Sequence, residues 1–167
     1  MKLFLRTSFL LLSFSFSSFS LIQAKTGFSL PDSLTEFTLR YTTVDNLIIL
    51  PVRINDSISV NLILDTGCRN IILFGKRFVS LFDYKNGRSI QFSGMGSGNA
   101  VQGMVSLNNT ISIGAVFGNT LPIIVVSDKN VLKNYRHVHG IIGYDIFTRF
   151  EVQLDPAKQL ITFRSAG

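Results

Sequence analysis

The chain has 167 residues, with 16 Lys and Arg against 10 Asp and Glu, and this length suits one domain. A hydrophobic content of 46%, including 15 Phe, excludes a disordered or low-complexity protein, because there is ample apolar surface to bury. One Cys excludes an internal disulfide framework and any multi-Cys zinc or iron–sulfur site, and a net charge of +6 without a basic stripe argues against nucleic acid as a partner.

Lys2 and Arg6 open the chain, a run of Leu, Phe and Ser extends to about Ile22, and Gln23-Ala24-Lys25 follows. A basic start, an apolar middle and a small residue before a polar stretch describe a secretory signal peptide over residues 1–24. Ser13, Ser15, Ser17, Ser18 and Ser20 dilute the run. It falls short of the roughly 20 mostly apolar residues that span a bilayer. A retained anchor is the weaker alternative, so no stable membrane anchor is expected after cleavage, and the protein is expected to be exported, periplasmic or secreted. Removing Lys2 and Arg6 lowers the charge from +6 to +4. Residues 25–34 then form an N-terminal extension, and residues 35–167 form the domain.

Beyond the leader the chain reads as β. Glu36 to Tyr41 alternates polar and apolar residues. Leu47 to Ile54 is rich in β-branched residues, with Pro51 suggesting an edge position or an irregularity. Asn55-Asp56-Ser57 is a turn signal, and Ile58 to Leu64 resumes the extended pattern and runs into Asp65-Thr66-Gly67. Ile71 to Phe74 is a buried run. Ser89 to Phe92 leads into a glycine cluster, and Val101 to Val105 leads out of it. Thr110 to Ile113 and Leu121 to Val126 are two further strands. Asp128 invites a helical turn through Val131, Leu132 and Tyr135, and Asp145 one through Ile146, Phe147 and Phe150. Glu151 to Phe163 reads as a closing hairpin around Asp155-Pro156-Ala157-Lys158. Many short strands with regular turn signals imply a sandwich or a barrel.

Asp65-Thr66-Gly67 places a carboxylate at the end of an apolar strand, on a Gly turn. Alone this triplet is weak, because a turn Asp usually serves its own backbone. Phe92-Ser93-Gly94-Met95-Gly96-Ser97-Gly98 adds alternating glycines at a hairpin tip, where the backbone approaches a ligand closely. His139-Gly140-Ile141-Ile142-Gly143-Tyr144-Asp145 adds a hydrophobic pair between glycines, followed by a short helix.

The order of strand and Asp-Thr-Gly, glycine-rich flap, hydrophobic pair with Gly, and short helix resembles the retropepsin-like aspartic proteases (clan AA). It is most similar to the small bacterial aspartyl protease families, over nearly all of residues 35–163. The resemblance implies an all-β fold, a closed retropepsin-like barrel with one or two short helices. It implies an aspartic endopeptidase with Asp65 as the catalytic carboxylate. Thr66 would bond across a two-fold axis, and Gly67 would permit the tight turn. Gly94, Met95 and Gly96 would form the flap tip over a peptide or protein substrate. Ile141-Ile142-Gly143 would pack beneath the Asp loop, and Asp145 would be a structural cap. No metal and no other cofactor is expected.

The chemistry requires a pair of carboxyls. One takes a proton from water while the other donates to the carbonyl oxygen. Two adjacent carboxyls achieve this by sharing one proton. One Asp65 per chain therefore predicts a homodimer with its active site between two copies. Three positions depart from the family pattern: Cys68, read as inert packing with a redox brake as the minor reading, then Arg69 and Tyr144. His137 and His139 lack a third ligand for a metal. The runner-up reading is a catalytically inactive dimeric peptide-binding module of the same fold, and the third is a structural barrel with a chance triplet.

Overall fold

The computed structural model describes residues 26–92, 101–128 and 130–166. The first half of the chain forms β1 (Gly27–Ser29), β2 (Glu36–Arg40), β3 (Thr42–Val44), β4 (Leu47–Ile54), β5 (Ile58–Asp65), β6 (Ile71–Phe74) and a one-turn helix α1 (Lys76–Val79). The second half forms β7 (Ser89–Phe92), β8 (Val101–Ile113), β9 (Val116–Val126), β10 (Gly140–Gly143), α2 (Tyr144–Phe147), β11 (Phe150–Asp155) and β12 (Leu160–Ser165), with a 3-10 turn at Asn130–Leu132. The protein is mostly β with short helices, as the sequence implies.

The larger sheet runs β1-β9-β6-β10-β5-β4-β8-β7, with β3 beside β4. β8 also pairs with β9, so the pairings return on themselves in a ring. Within it, β10 lies parallel to β5 on one side and antiparallel to β6 on the other. The smaller sheet is β11-β12-β2 and contains the closing hairpin read from the sequence.

β6 and the last four residues of β9 are buried on both faces, which explains their unbroken apolar runs. Ile71 and Leu73 join one buried cluster with Leu50, Leu62 and Ile142. Ile72 and Phe74, pointing the other way, join a second with Ile49, Ile63 and Ile124. Burial of each such side chain is worth about 1.5–3 kcal/mol.

Turn chemistry follows the residues. Asp45 and Asn46 both take positive φ in the two-residue β3–β4 turn, and Asn55 and Asp56 do so at the β4–β5 tip. Asp and Asn tolerate this conformation where most residues resist it.

Four findings refine the sequence reading. Pro51 is not on an edge strand, because β4 has neighbours on both sides. It pairs with Asn61 of β5, and its other side falls between the β3 pairing at residues 47–49 and the β8 pairing at residues 53–54. The missing N–H therefore costs no ladder bond there. Second, the two strands expected within residues 101–113 are one strand, irregular near Asn109 and with Asn108 at φ 59. Buried Asn109 fills the irregularity. Its side-chain amide donates to Ser106 O at 3.1 Å and Leu121 O at 3.2 Å, and its oxygen accepts from Asn55 Nδ2 at 2.9 Å. Third, Gly143, not Asp145, occupies the N-cap of α2 and no side chain caps it; Asp145 sits in the first turn. Fourth, α1, β1 and β3 had no clear sequence signal. Asp128 does start the expected turn, its Oδ1 accepting from Asn130 N–H at 2.8 Å.

Candidate active site

β5 carries Asp65 to its position. Val60, Leu62 and Ile63 are buried and fix the strand, so its last residue emerges at a defined point of the ring. The chain then turns. Gly67 N–H donates to Asp65 Oδ1 at 2.9 Å, and Cys68 N–H donates to the Asp65 carbonyl at 3.1 Å. The carboxylate thus orders its own turn, as a turn Asp commonly does. Asp65, Thr66 and Gly67 are nevertheless exposed in the single chain. Gly67 does not take a left-handed conformation. A Cβ there would lie 3.4 Å from Asp65 Oδ1, so glycine supplies open space beside the carboxylate and not an unusual φ.

β10 backs this turn. Gly143 lies opposite Asp65 in the parallel ladder, and a Cβ on Gly143 would sit 1.7 Å from the Asp65 carbonyl oxygen. Only glycine allows the two backbones to approach so closely. Ile142 is fully buried in the larger core cluster, and Ile141 packs against the other. The resemblance implied that Ile141-Ile142-Gly143 packs beneath the Asp loop; the strand register sets Ile141 and Ile142 beside Ile63 and Leu64 of β5 and only Gly143 opposite Asp65.

Cys68, Arg69 and Tyr144, the three departures noted in the sequence, meet at Tyr144. Tyr144 N–H donates to Cys68 O at 3.0 Å, and the Arg69 guanidinium lies over the Tyr144 ring, 5.7 Å from its centre. A cation over a Tyr face is held by the ring quadrupole. Residues 75 positions apart thus tie the loop after Asp65 to the start of α2. Nothing local in the sequence signals this contact.

Cys68 is half-buried and its Sγ donates to Asn70 O at 3.0 Å. Burial pushes its thiol pKa up, the Asn70 bond opposes this, and the Asp65 carboxylate adds to the rise. The result is a poor nucleophile, in keeping with a packing role. Burial also raises the Asp145 carboxyl pKa, against the lowering effect of Arg149.

Gly94, Met95 and Gly96 lie outside the described residues. The stems on either side of them are described: β7 and β8 pair antiparallel up to Phe92 opposite Val101. His139 accepts from Asn61 N–H through Nδ1 at 2.9 Å, which assigns its proton to Nε2. Burial lowers its pKa, helped by Arg77 and His137. Among the described residues, no group of three His, Cys, Asp or Glu side chains is placed to hold a metal ion.

No family model and no curated protein matches the sequence. Among solved structures, the fold is similar to a crystal structure of a retropepsin-like aspartic protease from Rickettsia conorii, at 17% identity and a TM-score of 0.56. The match covers 86% of this chain and 97% of that one. At this identity the likeness is one of fold.

Proposed function

We propose that the chain is an aspartic endopeptidase whose active site is assembled from Asp65 of two copies. The observation that carries this reading is the exposed Asp65 carboxylate on its Asp-Thr-Gly turn, in a fold similar to that of an aspartic protease. One carboxylate of the dyad takes a proton from the attacking water. The other, sharing the common proton, donates it to the carbonyl oxygen of the scissile bond. The pH behaviour belongs to the pair and not to either Asp65 alone. On this reading, Thr66 steadies the paired loops, Gly94, Met95 and Gly96 close over the substrate, and the ring of strand pairings is the retropepsin-like closed barrel. Residues 1–24 are a cleaved signal, and the enzyme acts outside the cytoplasm.

The test is cleavage of a peptide library from acid to neutral pH by residues 25–167, beside Asp65→Asn. Cleavage is expected to fall at least about 10²-fold in the variant, the low end of what a general acid–base supplies. Binding without cleavage in the parent turns the assignment to a peptide-binding module. Sedimentation as a monomer at active concentration refutes the shared site.

A further inference from the structure

A cavity of about 970 Å³ opens at the other end of β10 from Asp65. Phe74 N–H donates to His139 O there, one residue before β10 begins, whereas Gly143 at its far end faces Asp65. Three strand steps, about 10 Å, separate the two ends. The cavity is therefore distinct from the carboxylate site and has its own walls.

Those walls are cationic. Lys76 and Arg77 come from α1, and Lys133 and Arg136 come from the loop after the 3-10 turn. The sequence scatters these charges over 61 positions, and the fold collects them. All four are exposed, and none takes part in the ion pairs found among the described residues, which join Lys158 to Asp155 and Arg164 to Glu36 and Glu151. Arg77 is steadied over the Phe78 ring, 4.7 Å from its centre. The wall also carries one carboxylate, Asp128, whose two oxygens accept from the backbone N–H and side-chain amide of Asn130. His139, neutral and bonded to Asn61 through Nδ1, adds an imidazole to the wall. Beneath these groups lie apolar surfaces of Phe74, Leu132, Tyr135 and Val138.

We infer that this cavity docks an acidic peptide segment, with Asp or Glu carboxylates on Lys76, Arg77, Lys133 and Arg136 and apolar neighbours on the wall below. Two features favour spaced carboxylates over a phosphate group. Phosphate sites rely on free backbone N–H groups. Here the N–H groups of Gly75, Asn130, Lys133, Tyr135 and His139 are already bonded within the protein, and among the described residues those of Lys76 and Arg77 at the start of α1 show no such bond. The volume also lies near the top of the range for small-molecule pockets and far exceeds one phosphate. The cations sit on two separate elements, which suits charges spaced along a chain.

The probe is a fluorescein-labelled six-residue peptide of alternating Glu and Leu, followed by fluorescence anisotropy, with a Gln–Leu counterpart as the neutral control. Both the parent chain and Asp65→Asn are used, so that hydrolysis of the probe is not mistaken for failure to bind. The inference stands or falls independently of the peptidase reading. The Glu–Leu peptide is expected to bind, weakening as salt rises, while the Gln–Leu peptide does not. Arg77→Glu combined with Arg136→Glu is expected to weaken binding at least about tenfold, while Lys85→Glu, away from the cavity, leaves it unchanged. Should the double variant unfold, Arg77→Gln with Arg136→Gln and the salt dependence of the parent decide the matter in its place. Equal binding of the neutral peptide, or undiminished binding by the folded double variant, overturns the inference. So does binding of inorganic tripolyphosphate with none of the Glu–Leu peptide, which assigns the cavity to phosphates.

Discussion

Replacing Gly143 by Ala probes the contact that holds the Asp65 turn in place. The new Cβ would lie 1.7 Å from Asp65 O and 2.5 Å from its carbonyl carbon, against a floor of 3.0 Å for real Cβ contacts, so the backbones must separate by 1.3 Å. Neither atom belongs to a side chain able to swing aside. Overpacking of this kind costs about 1–3 kcal/mol, with each kcal/mol lowering the melting temperature by about 2–4 °C. The shift also falls on the residue proposed to do the chemistry, and a misplacement of about 1 Å costs about 10²-fold in rate. Gly140→Ala is the matched control. Its Cβ would meet Ile72 O at 2.0 Å, a similar clash at the opposite end of β10. Thermal melts and cleavage rates per folded molecule separate the two. Both variants are expected to lose stability, but only Gly143→Ala is expected to lose about 10²-fold in cleavage. If Gly143→Ala melts with the parent and cleaves at the parental rate, the close approach is not a constraint. If Gly140→Ala loses as much activity per folded molecule, the effect is not local to Asp65.

Asn109→Leu removes the partner of Ser106 O, Leu121 O and Asn55 Nδ2. It is expected to cost about 1–3 kcal/mol in urea denaturation, and an unchanged midpoint would show the network to be dispensable. Cys68 is expected to alkylate more slowly than a cysteine in a free peptide at neutral pH, and Asp65→Asn is expected to speed it by removing the charge that opposes the thiolate. Equal alkylation rates in the parent and the variant would count against that coupling. Asp145 titrates with its folded pKa above the ordinary value of 3.8, so its favourable contribution is complete below pH 3.8 and lost as pH rises through the folded value. Asp145→Asn is therefore expected to raise the melting temperature at neutral pH, with the gain vanishing below pH 3.8; a gain that persists in acid refutes the titration argument.

What the sequence reveals depends on the range of the interaction. β4 was legible residue by residue because its apolar run lies between Asp45-Asn46 and Asn55-Asp56, whose positive φ values Asp and Asn adopt readily, and β6 because its four apolar residues run up to Gly75 at φ 127. The turn after β5 was legible because its Asp and Gly bond to each other two residues apart. β8 misled because Asn108 and Asn109 look like a break, while the structure uses Asn109 as a buried bracket inside one irregular strand. α1 was hidden because its cap is Gly75 at φ 127, with no Ser, Thr or Asp to announce it. At the site, Asp65 and Gly143 were each recognisable, but the Arg69–Tyr144 contact was not. Each of those residues looked like a separate departure, and only the strand register brings them together. The cationic cavity was invisible for a related cause, since its two pairs of charges sit on opposite sides of β9 in the chain.

The parallel pairing of β5 with β10 also sets an order of events during synthesis. Asp65 and Gly143 are separated by 78 residues, so a ribosome working at about 5–20 residues per second makes the second about 4–16 s after the first. Until then the flank of β5 that β10 will cover has no such strand beside it, and the Asp65 turn lacks its backing. β4 and β5 can zip together early as a hairpin, but the loop that bears the carboxylate takes its final form only after most of the chain exists. A nascent chain truncated before residue 140 would carry the Asp-Thr-Gly triplet without the strand that positions it.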